Sequence, residues 1–221
     1  VCNVMCLTGD GVQAGDHPQA KPVFDLDSTS LLGIARGLRE EHRFESGRKI
    51  TFAPRVLLGA AENPNVSPVE HRAVRLAKKI SAGAQFVQTQ YCYDIPLLRR
   101  FMTAVEDAGL LEQVFILIGV GPIRTAKAGE WMRTHVPGIH IPDSVIERMK
   151  GAKDQTREGL NLCVDLIQEV RTIKGVSGVH VMAYRQEESV AEVIERSGIL
   201  AGRVPWFPGR DQQINEDRKL S

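Results

Sequence analysis

The segment best suited to chemistry lies near the start of the chain, where Thr8, Gly9 and Asp10 follow the short apolar run 4–7. Gly9 has no side chain and lets the backbone approach a planar ligand closely. Asp10 would direct a carboxylate toward the end of that run. Asp also caps turns by accepting hydrogen bonds from nearby backbone. The sequence therefore leaves a ligand-facing role and a turn-capping role open for Asp10.

A second group of polar residues ends the apolar run 86–90. If this run is a strand, side-chain alternation places Gln88 and Gln90 on one face and Thr89 on the other. An unpaired buried amide costs about 1–3 kcal/mol, so Gln90 needs a hydrogen-bond partner. A pterin or nicotinamide amide would serve, and so would another part of the protein.

Several cations lie where they could bind an anionic ligand. Arg75, Lys78 and Lys79 are within about one helical turn of each other and could neutralise a diphosphate, although a solvated basic helix face is the alternative. Arg185, after the last apolar run, could clamp a carboxylate through two parallel hydrogen bonds. His180, within that run, is interpreted as a hydrogen-bonded core residue.

Apolar runs alternate with amphipathic stretches along the whole chain. Strands are predicted at 4–7, 56–61, 86–90, 115–120 and 178–183. Helices are predicted at 28–38, 67–83, 95–108, 126–133, 143–150, 155–173 and 189–197. This alternation indicates a parallel sheet covered on both faces, either doubly wound or closed as a (β/α)8 barrel. The barrel is favoured, because no GxGxxG loop follows the first strand and polar residues gather after the strand ends.

The expected fold class is therefore α/β, a (β/α)8 TIM barrel of which five strands are present. Three further βα units, about 90 to 100 residues at usual barrel lengths, would precede Val1. Residues 1–203 are expected to form the partial barrel, and residues 204–221 a polar C-terminal tail.

Composition narrows the classes of partner. The 28 basic and 27 acidic residues nearly balance, which gives no field for attracting nucleic acid or an anionic membrane. No apolar run approaches the roughly 20 residues that span a bilayer, and no signal peptide is evident. The four cysteines form no CxxC pair, so we expect buried, reduced thiols, no metal site and a cytoplasmic protein.

Four separated motifs, in order along the chain, resemble the methylenetetrahydrofolate reductase family: Leu7–Asp10, Gly15–Ser28, Ala82–Asp94, and Gly178–His180 with Arg185. The resemblance covers about residues 3 to 200. In that family the strand ending in Gly-Asp is the fourth, so this chain would correspond to barrel units four to eight. The resemblance implies an enzyme of one-carbon metabolism and methionine biosynthesis. Its reduced flavin would transfer a hydride to 5,10-methylenetetrahydrofolate and form 5-methyltetrahydrofolate.

The resemblance also assigns roles to residues of this chain. Asp10 is the catalytic residue that sets the electrostatics around the flavin. The cofactor-binding residues are Thr8, Gly9, Asp10, Phe24, Arg75, Lys78 and Lys79, and the substrate-binding residues are Asp10, Gln90 and Arg185. The family's proton donor is a glutamate on the first barrel strand, which this sequence lacks, so the chain alone is expected to be inactive.

The sequence departs from the family pattern around the predicted cofactor site. Gly59 and Asn63 stand where relatives often have an aromatic residue and a histidine, and Arg72 and Arg75 replace acidic and amide residues. FAD is the expected cofactor with FMN open, and the electron donor is NADH or NADPH. The protein is expected to be a homo-oligomer or a subunit of an electron-transfer assembly. The alternatives are a flavin-free, folate-binding methyltransferase-like barrel and an inactive barrel subunit of a larger assembly.

Overall fold

The computed structural model of the protein describes residues 2–203, and Val1 and residues 204–221, including the predicted polar tail, lie outside that range. Strands β1 to β5 comprise Asn3–Cys6, Leu57–Glu62, Phe86–Tyr91, Phe115–Val120 and Val176–Val181. Helices α1 to α7 comprise Ser28–Glu40, Val69–Ala82, Ile95–Asp107, Ala126–His135, Asp143–Gly151, Gln155–Val170 and Val190–Ser197. Short 3₁₀ turns occupy Val12–Ala14 and Glu187–Ser189.

The five strands form one parallel sheet in the order β1-β2-β3-β4-β5. A doubly wound sheet reverses its strand order at a switch point, whereas this order follows the chain throughout. The predicted α/β class is confirmed, and the consecutive order is that of barrel βα units. All strands therefore end at the same edge of the sheet, where barrel enzymes build their active sites.

Packing is confined to the helix-covered face of the sheet. The main core joins β3, β4 and β5 to helices α2 to α7, and a smaller core of Cys6, Leu32, Leu58, Ala60 and Ala84 joins β1 and β2 to α1. Burial of these side chains is the main force that holds each helix against the sheet. Across residues 2–203, no helix combines the length and hydrophobicity that crossing a bilayer requires.

Local chemistry explains where several elements begin and end. The Asp27 carboxylate accepts a hydrogen bond from the Ser30 amide at 2.7 Å and starts α1, as predicted. Gly83, with φ of 120°, ends α2 in a conformation that residues with a Cβ rarely adopt. Strand β5 begins at Val176, two residues before the prediction, because the Ser177 hydroxyl accepts a hydrogen bond from the Ile116 amide and extends the pairing with β4.

Two strand glycines make room for their neighbours on the face opposite the helices. A Cβ at Gly59 would overlap the ring of Phe86, its partner in the register of β2 and β3. Gly59 lies inside β2, and the Phe86 ring occupies the space beside it. A Cβ at Gly119, near the C-terminal end of β4, would overlap backbone oxygens of β3, so β4 has no side chain at this position.

Candidate functional site

A cavity of about 510 Å³ lies at the C-terminal ends of the strands. Strands β1, β2, β3 and β5, the loops that follow β1 and β2, and one face of α2 contribute its walls. The lining side chains that carry polar groups belong to Thr8, Asp10, Ser28, Glu62, Asn63, Arg72, Arg75, Lys79, Gln88, Thr89, Gln90 and His180. A larger depression of about 750 Å³ lies around Arg39 and Gln85 at the other end of β2, which in barrels serves stability rather than catalysis.

The loop after β1 is anchored to the start of α1. The Thr8 hydroxyl accepts a hydrogen bond from the Ser28 amide at 3.0 Å, and Gly9 has a left-handed φ of 82°. Asp10 is exposed and lines the cavity. Its carboxylate accepts no hydrogen bond within residues 2–203, so the turn-capping role lacks the bond that would define it. Asp27 directly precedes Ser28, and hydrogen bonds from Ser30 hold the pKa of the Asp27 carboxyl below its usual value.

The wall formed by α2 contains a buried ion pair that the sequence did not reveal. The Lys79 ammonium lies 2.7 Å from Glu62 Oε2, and the two side chains are 8% and 2% exposed. Lys79 also donates to the Ala61 carbonyl, and the Arg72 guanidinium lies 4.0 Å from the Glu62 carboxylate. Glu62 therefore compensates the charge of Lys79, whereas Arg75 has no carboxylate within 4 Å in the described part of the chain. The sequence could have pointed to Glu62, because a charged residue there directly ends an apolar strand.

The polar C-terminal end of β3 is hydrogen-bonded at the point where the pairing of β3 with β4 is irregular. The Thr89 side chain is buried, accepts a hydrogen bond from the Gly119 amide at 2.8 Å and donates one to the Gln90 carbonyl. The side-chain oxygen of Gln90 accepts a hydrogen bond from the Tyr91 amide at 2.9 Å. Gln88 and Gln90 are half-buried and Thr89 is buried, and all three residues line the cavity, so the predicted alternation of faces stays a prediction. The NH₂ group of Gln90 remains for a ligand.

His180 on β5 lines the cavity beside Met182. Its Nδ1 atom is buried and has no hydrogen-bond partner among the described residues. The hydrogen bond expected of a core histidine is therefore not observed at Nδ1, and the structural role of His180 stays a prediction. Burial lowers the pKa of the imidazole, which favours the neutral ring.

Three of the predicted site residues lie away from this cavity. Phe24 is 82% exposed and Lys78 is exposed, and neither lines the cavity. Arg185 is exposed, has a left-handed φ of 57° and extends its guanidinium over the Tyr184 ring, 5.2 Å from the centroid. The structure thus brings together Thr8, Gly9, Asp10, Arg75, Lys79 and Gln90. The roles of Phe24, Lys78 and Arg185 stay predictions.

The cysteines are not part of the cavity chemistry. Cys6, Cys92 and Cys163 are buried, and burial raises the pKa of the Cys92 and Cys163 thiols to about 12. Cys2 is exposed, contrary to the prediction, because it precedes the edge strand β1. Within residues 2–203, no group of three or more His, Cys, Asp or Glu side chains is placed to hold a metal ion.

A consecutive parallel sheet with a polar cavity at its C-terminal edge defines a barrel-type α/β protein whose cavity lies at the position that TIM-barrel enzymes use for their active sites. Comparison with known families then gives the specific assignment. The model of the methylenetetrahydrofolate reductase family matches residues 1–198, and the chain belongs to this family. The resemblance inferred from its motifs is confirmed.

Named relatives share modest identity with the chain. Methylenetetrahydrofolate reductase 2 of Schizosaccharomyces pombe is 26% identical over 99% of this chain and 34% of its own length. The 5,10-methylenetetrahydrofolate reductase of Escherichia coli is 24% identical over 66% of this chain and 50% of its own length. The chain thus spans about a third of the fission yeast protein, and its match covers half of the bacterial one.

A solved structure supports the fold. An uncharacterized protein from Clostridium thermocellum, described as binding two copies of 5-methyl-5,6,7,8-tetrahydrofolic acid, matches with a TM-score of 0.51 and 18% identity. The match covers 67% of this chain and 54% of that one. At this identity the likeness shows a shared fold.

Proposed function

We propose that this chain forms the flavin and folate site of an enzyme that reduces 5,10-methylenetetrahydrofolate to 5-methyltetrahydrofolate. The observation that carries the proposal is the cavity at the strand ends, where Asp10 and Gln90 lie with the cations of α2. Family membership and the folate named for the Clostridium thermocellum protein support the same substrate.

The residues present fit a flavin. Arg72, Arg75 and Lys79 contribute three positive charges to the α2 wall against the single carboxylate of Glu62, so this wall suits a phosphate group. On the opposite wall, the absence of a side chain at Gly9 suits a flat ring. We propose that Arg75 is the main phosphate ligand, because Glu62 compensates Lys79. When bound, the reduced flavin supplies the hydride.

The chain's own groups act on the substrate through charge and orientation. The Asp10 carboxylate stabilises the positive charge that develops on the folate as its methylene bridge opens. The NH₂ group of Gln90 donates a hydrogen bond to the pterin and orients it toward the hydride. Ring opening also needs a proton donor. The family resemblance places this donor on a strand that precedes β1, so the proposal assigns that step to a group outside the described residues.

Further parts of the proposal concern the cellular setting. We infer FAD as the flavin, NADH or NADPH as electron donor, and a cytoplasmic role in methionine biosynthesis. We also infer a homo-oligomer or a subunit of an electron-transfer assembly.

A flavin-free, folate-binding barrel is the second candidate. The Glu62–Lys79 pair favours it, since this pair removes one of the cations expected to neutralise a diphosphate. Under this alternative the cavity binds folate through Asp10 and Gln90, and the α2 cations bind another anionic group.

The test uses the intact purified protein. We expect the visible absorption of oxidised flavin, and reoxidation of the reduced flavin when methylenetetrahydrofolate is added without oxygen. Asp10→Asn should slow this reoxidation by about 100-fold, the size of effect seen when one charge-stabilising group is lost. Arg75→Gln should weaken flavin binding, whereas His71→Gln, on the exposed surface of the same helix and outside the cavity, should not.

The remaining outcomes separate the candidates. A colourless protein that binds folate would support the flavin-free candidate. A protein that binds neither flavin nor folate would contradict both.

A further inference from the structure

The floor of the cavity between β3 and β5 is lined with polar side chains. Gly119 of β4 pairs in register with His180 of β5 and contributes no side chain. The inward side chains at this level therefore come from the two flanking strands: Gln88 and Gln90 from β3, and His180 and Met182 from β5. An imidazole in this position reaches the same space as the two amides.

The two ring nitrogens of His180 lie in different environments. Nδ1 is buried and has no hydrogen-bond partner within residues 2–203. Nε2 does not share this condition, and the ring that carries it lines the cavity. Leaving an N–H donor buried and unpaired is rarer in proteins than leaving a lone pair unpaired. The arrangement therefore favours the lone pair at Nδ1 and the proton at Nε2. Burial lowers the pKa of His180, so the ring is neutral near pH 7, consistent with one proton on the ring.

We propose that His180 is a positioning residue whose Nε2–H donates a hydrogen bond to an acceptor on a fused heteroaromatic ring bound in the cavity. The acceptor is a ring carbonyl oxygen or an imine nitrogen. Both the pterin of folate and the ring system of flavin offer this chemistry, and the experiment distinguishes them. The inference rests on the proposed function, because it requires one of these rings to occupy the cavity.

The first experiment observes the protons of the imidazole directly. Nitrogen-15 NMR of the intact protein with labelled histidine reports the tautomer of each of the six histidines, and His180→Phe assigns the signal. We expect His180 to be neutral with its proton on Nε2, and this proton to shift on titration with 5-methyltetrahydrofolate or with riboflavin. The ligand that causes the shift identifies the ring. A proton on Nδ1, a doubly protonated ring near neutral pH, or no shift with either bound ligand would overturn the proposal.

The second experiment separates the two nitrogens by substitution. The amide nitrogen of Gln can reach the position of Nε2, whereas that of Asn reaches only the position of Nδ1. His180→Gln should therefore bind the ring almost as tightly as the unsubstituted protein. His180→Asn and His180→Phe should each raise Kd about tenfold, the worth of one hydrogen bond. His71→Phe, on the exposed surface of α2, is the matched control.

The outcomes keep this inference separate from the proposed function. If His180→Phe binds as tightly as the unsubstituted protein while Gln90→Ala binds more weakly, the ligand site is real and the role of His180 is wrong. If the unsubstituted protein binds neither folate nor flavin, the proposed function fails first. Thermal unfolding of each variant checks that it is folded.

Discussion

The ammonium of Lys79 donates a hydrogen bond to the carboxylate of Glu62 at 2.7 Å, and both side chains are almost fully buried. Glu62 is the last residue of β2, and Lys79 lies in the last turn of α2. The pair therefore joins a strand to the helix that follows it, at the wall of the cavity. Lys79, which the sequence predicted to bind phosphate, is therefore part of the internal structure. Among the cations of this wall, Arg75 is the one that lacks a carboxylate within 4 Å in the described residues.

Removing either member of this pair should destabilise the protein strongly. Glu62→Gln leaves the buried Lys79 ammonium without a carboxylate, and we expect a loss of about 3–5 kcal/mol in the free energy of unfolding. Lys79→Met should cost less, because the Arg72 guanidinium 4.0 Å from Glu62 still compensates part of its charge. The double variant should lose less than the sum, because no charge is left unpaired. Urea denaturation measures all three. The control is Asp143→Asn at the exposed ion pair with Arg133, where a loss below about 1 kcal/mol is expected. Additive losses in the double variant would contradict a coupled pair.

The Thr89 hydroxyl should be needed to hold β3 against β4. It accepts a hydrogen bond from the Gly119 amide at 2.8 Å, and the Thr89 residue is only 3% exposed. Thr89→Val has nearly the same shape but leaves this amide unpaired, so we expect a loss of about 1–3 kcal/mol in the free energy of unfolding. Thr89→Ser retains the hydroxyl and should lose clearly less. A Val variant as stable as the unsubstituted protein would show that the hydrogen bond to the Gly119 amide contributes nothing.

Local sequence signals predicted most of the fold. Each apolar run was long enough to be a buried strand, and capping residues such as Asp27 and Gly83 lie at helix ends in the structure. The bounds of β5 were wrong by two residues, because the Ser177 hydroxyl extends its pairing with β4 through a contact that no local pattern encodes.

The candidate site was predicted only where strand ends determine the position. Asp10 and Gln90 follow from alternation and from the shared C-terminal edge of the sheet. The pairing of Glu62 with Lys79 depends on how α2 packs on β2, which the sequence does not specify. The direction of the Arg185 side chain depends on a left-handed backbone conformation after β5, which is uncommon for a residue with a Cβ.

The thiols should differ sharply in reactivity. Cys2 is exposed, whereas burial raises the pKa of Cys92 and Cys163 to about 12. Only about one in 10⁴ of these two thiols is ionised near pH 8, and the thiolate is the form that reacts. Alkylation with iodoacetamide, followed by mass spectrometry, should label Cys2 in the native protein and the two buried thiols only after unfolding in urea. Rapid native labelling of Cys163 would mean that α6 opens far more readily than its packing indicates.

His180 should make the protein less stable in mild acid. Its pKa in the folded protein is lowered by burial, whereas the unfolded chain has the ordinary value of about 6.5. As the pH falls below about 6.5, the unfolded chain binds a proton that the folded ring does not yet bind, so acid favours unfolding. The free energy of unfolding should thus fall with decreasing pH through the window between the ordinary pKa and the lowered one. Urea denaturation at a series of pH values measures this slope.

A comparison of variants isolates the contribution of this one imidazole from those of the carboxylates that titrate in the same range. His180→Phe removes the group from both states, so its stability should fall less steeply with acid than that of the unsubstituted protein. His71→Phe, at an exposed position of α2, is the control for removing an imidazole elsewhere in the fold. Identical slopes for the His180 variant and the unsubstituted protein would mean that the ring acquires a proton in the fold as easily as in the unfolded chain. The buried Nδ1, which has no partner among the described residues, would then have to gain one on protonation.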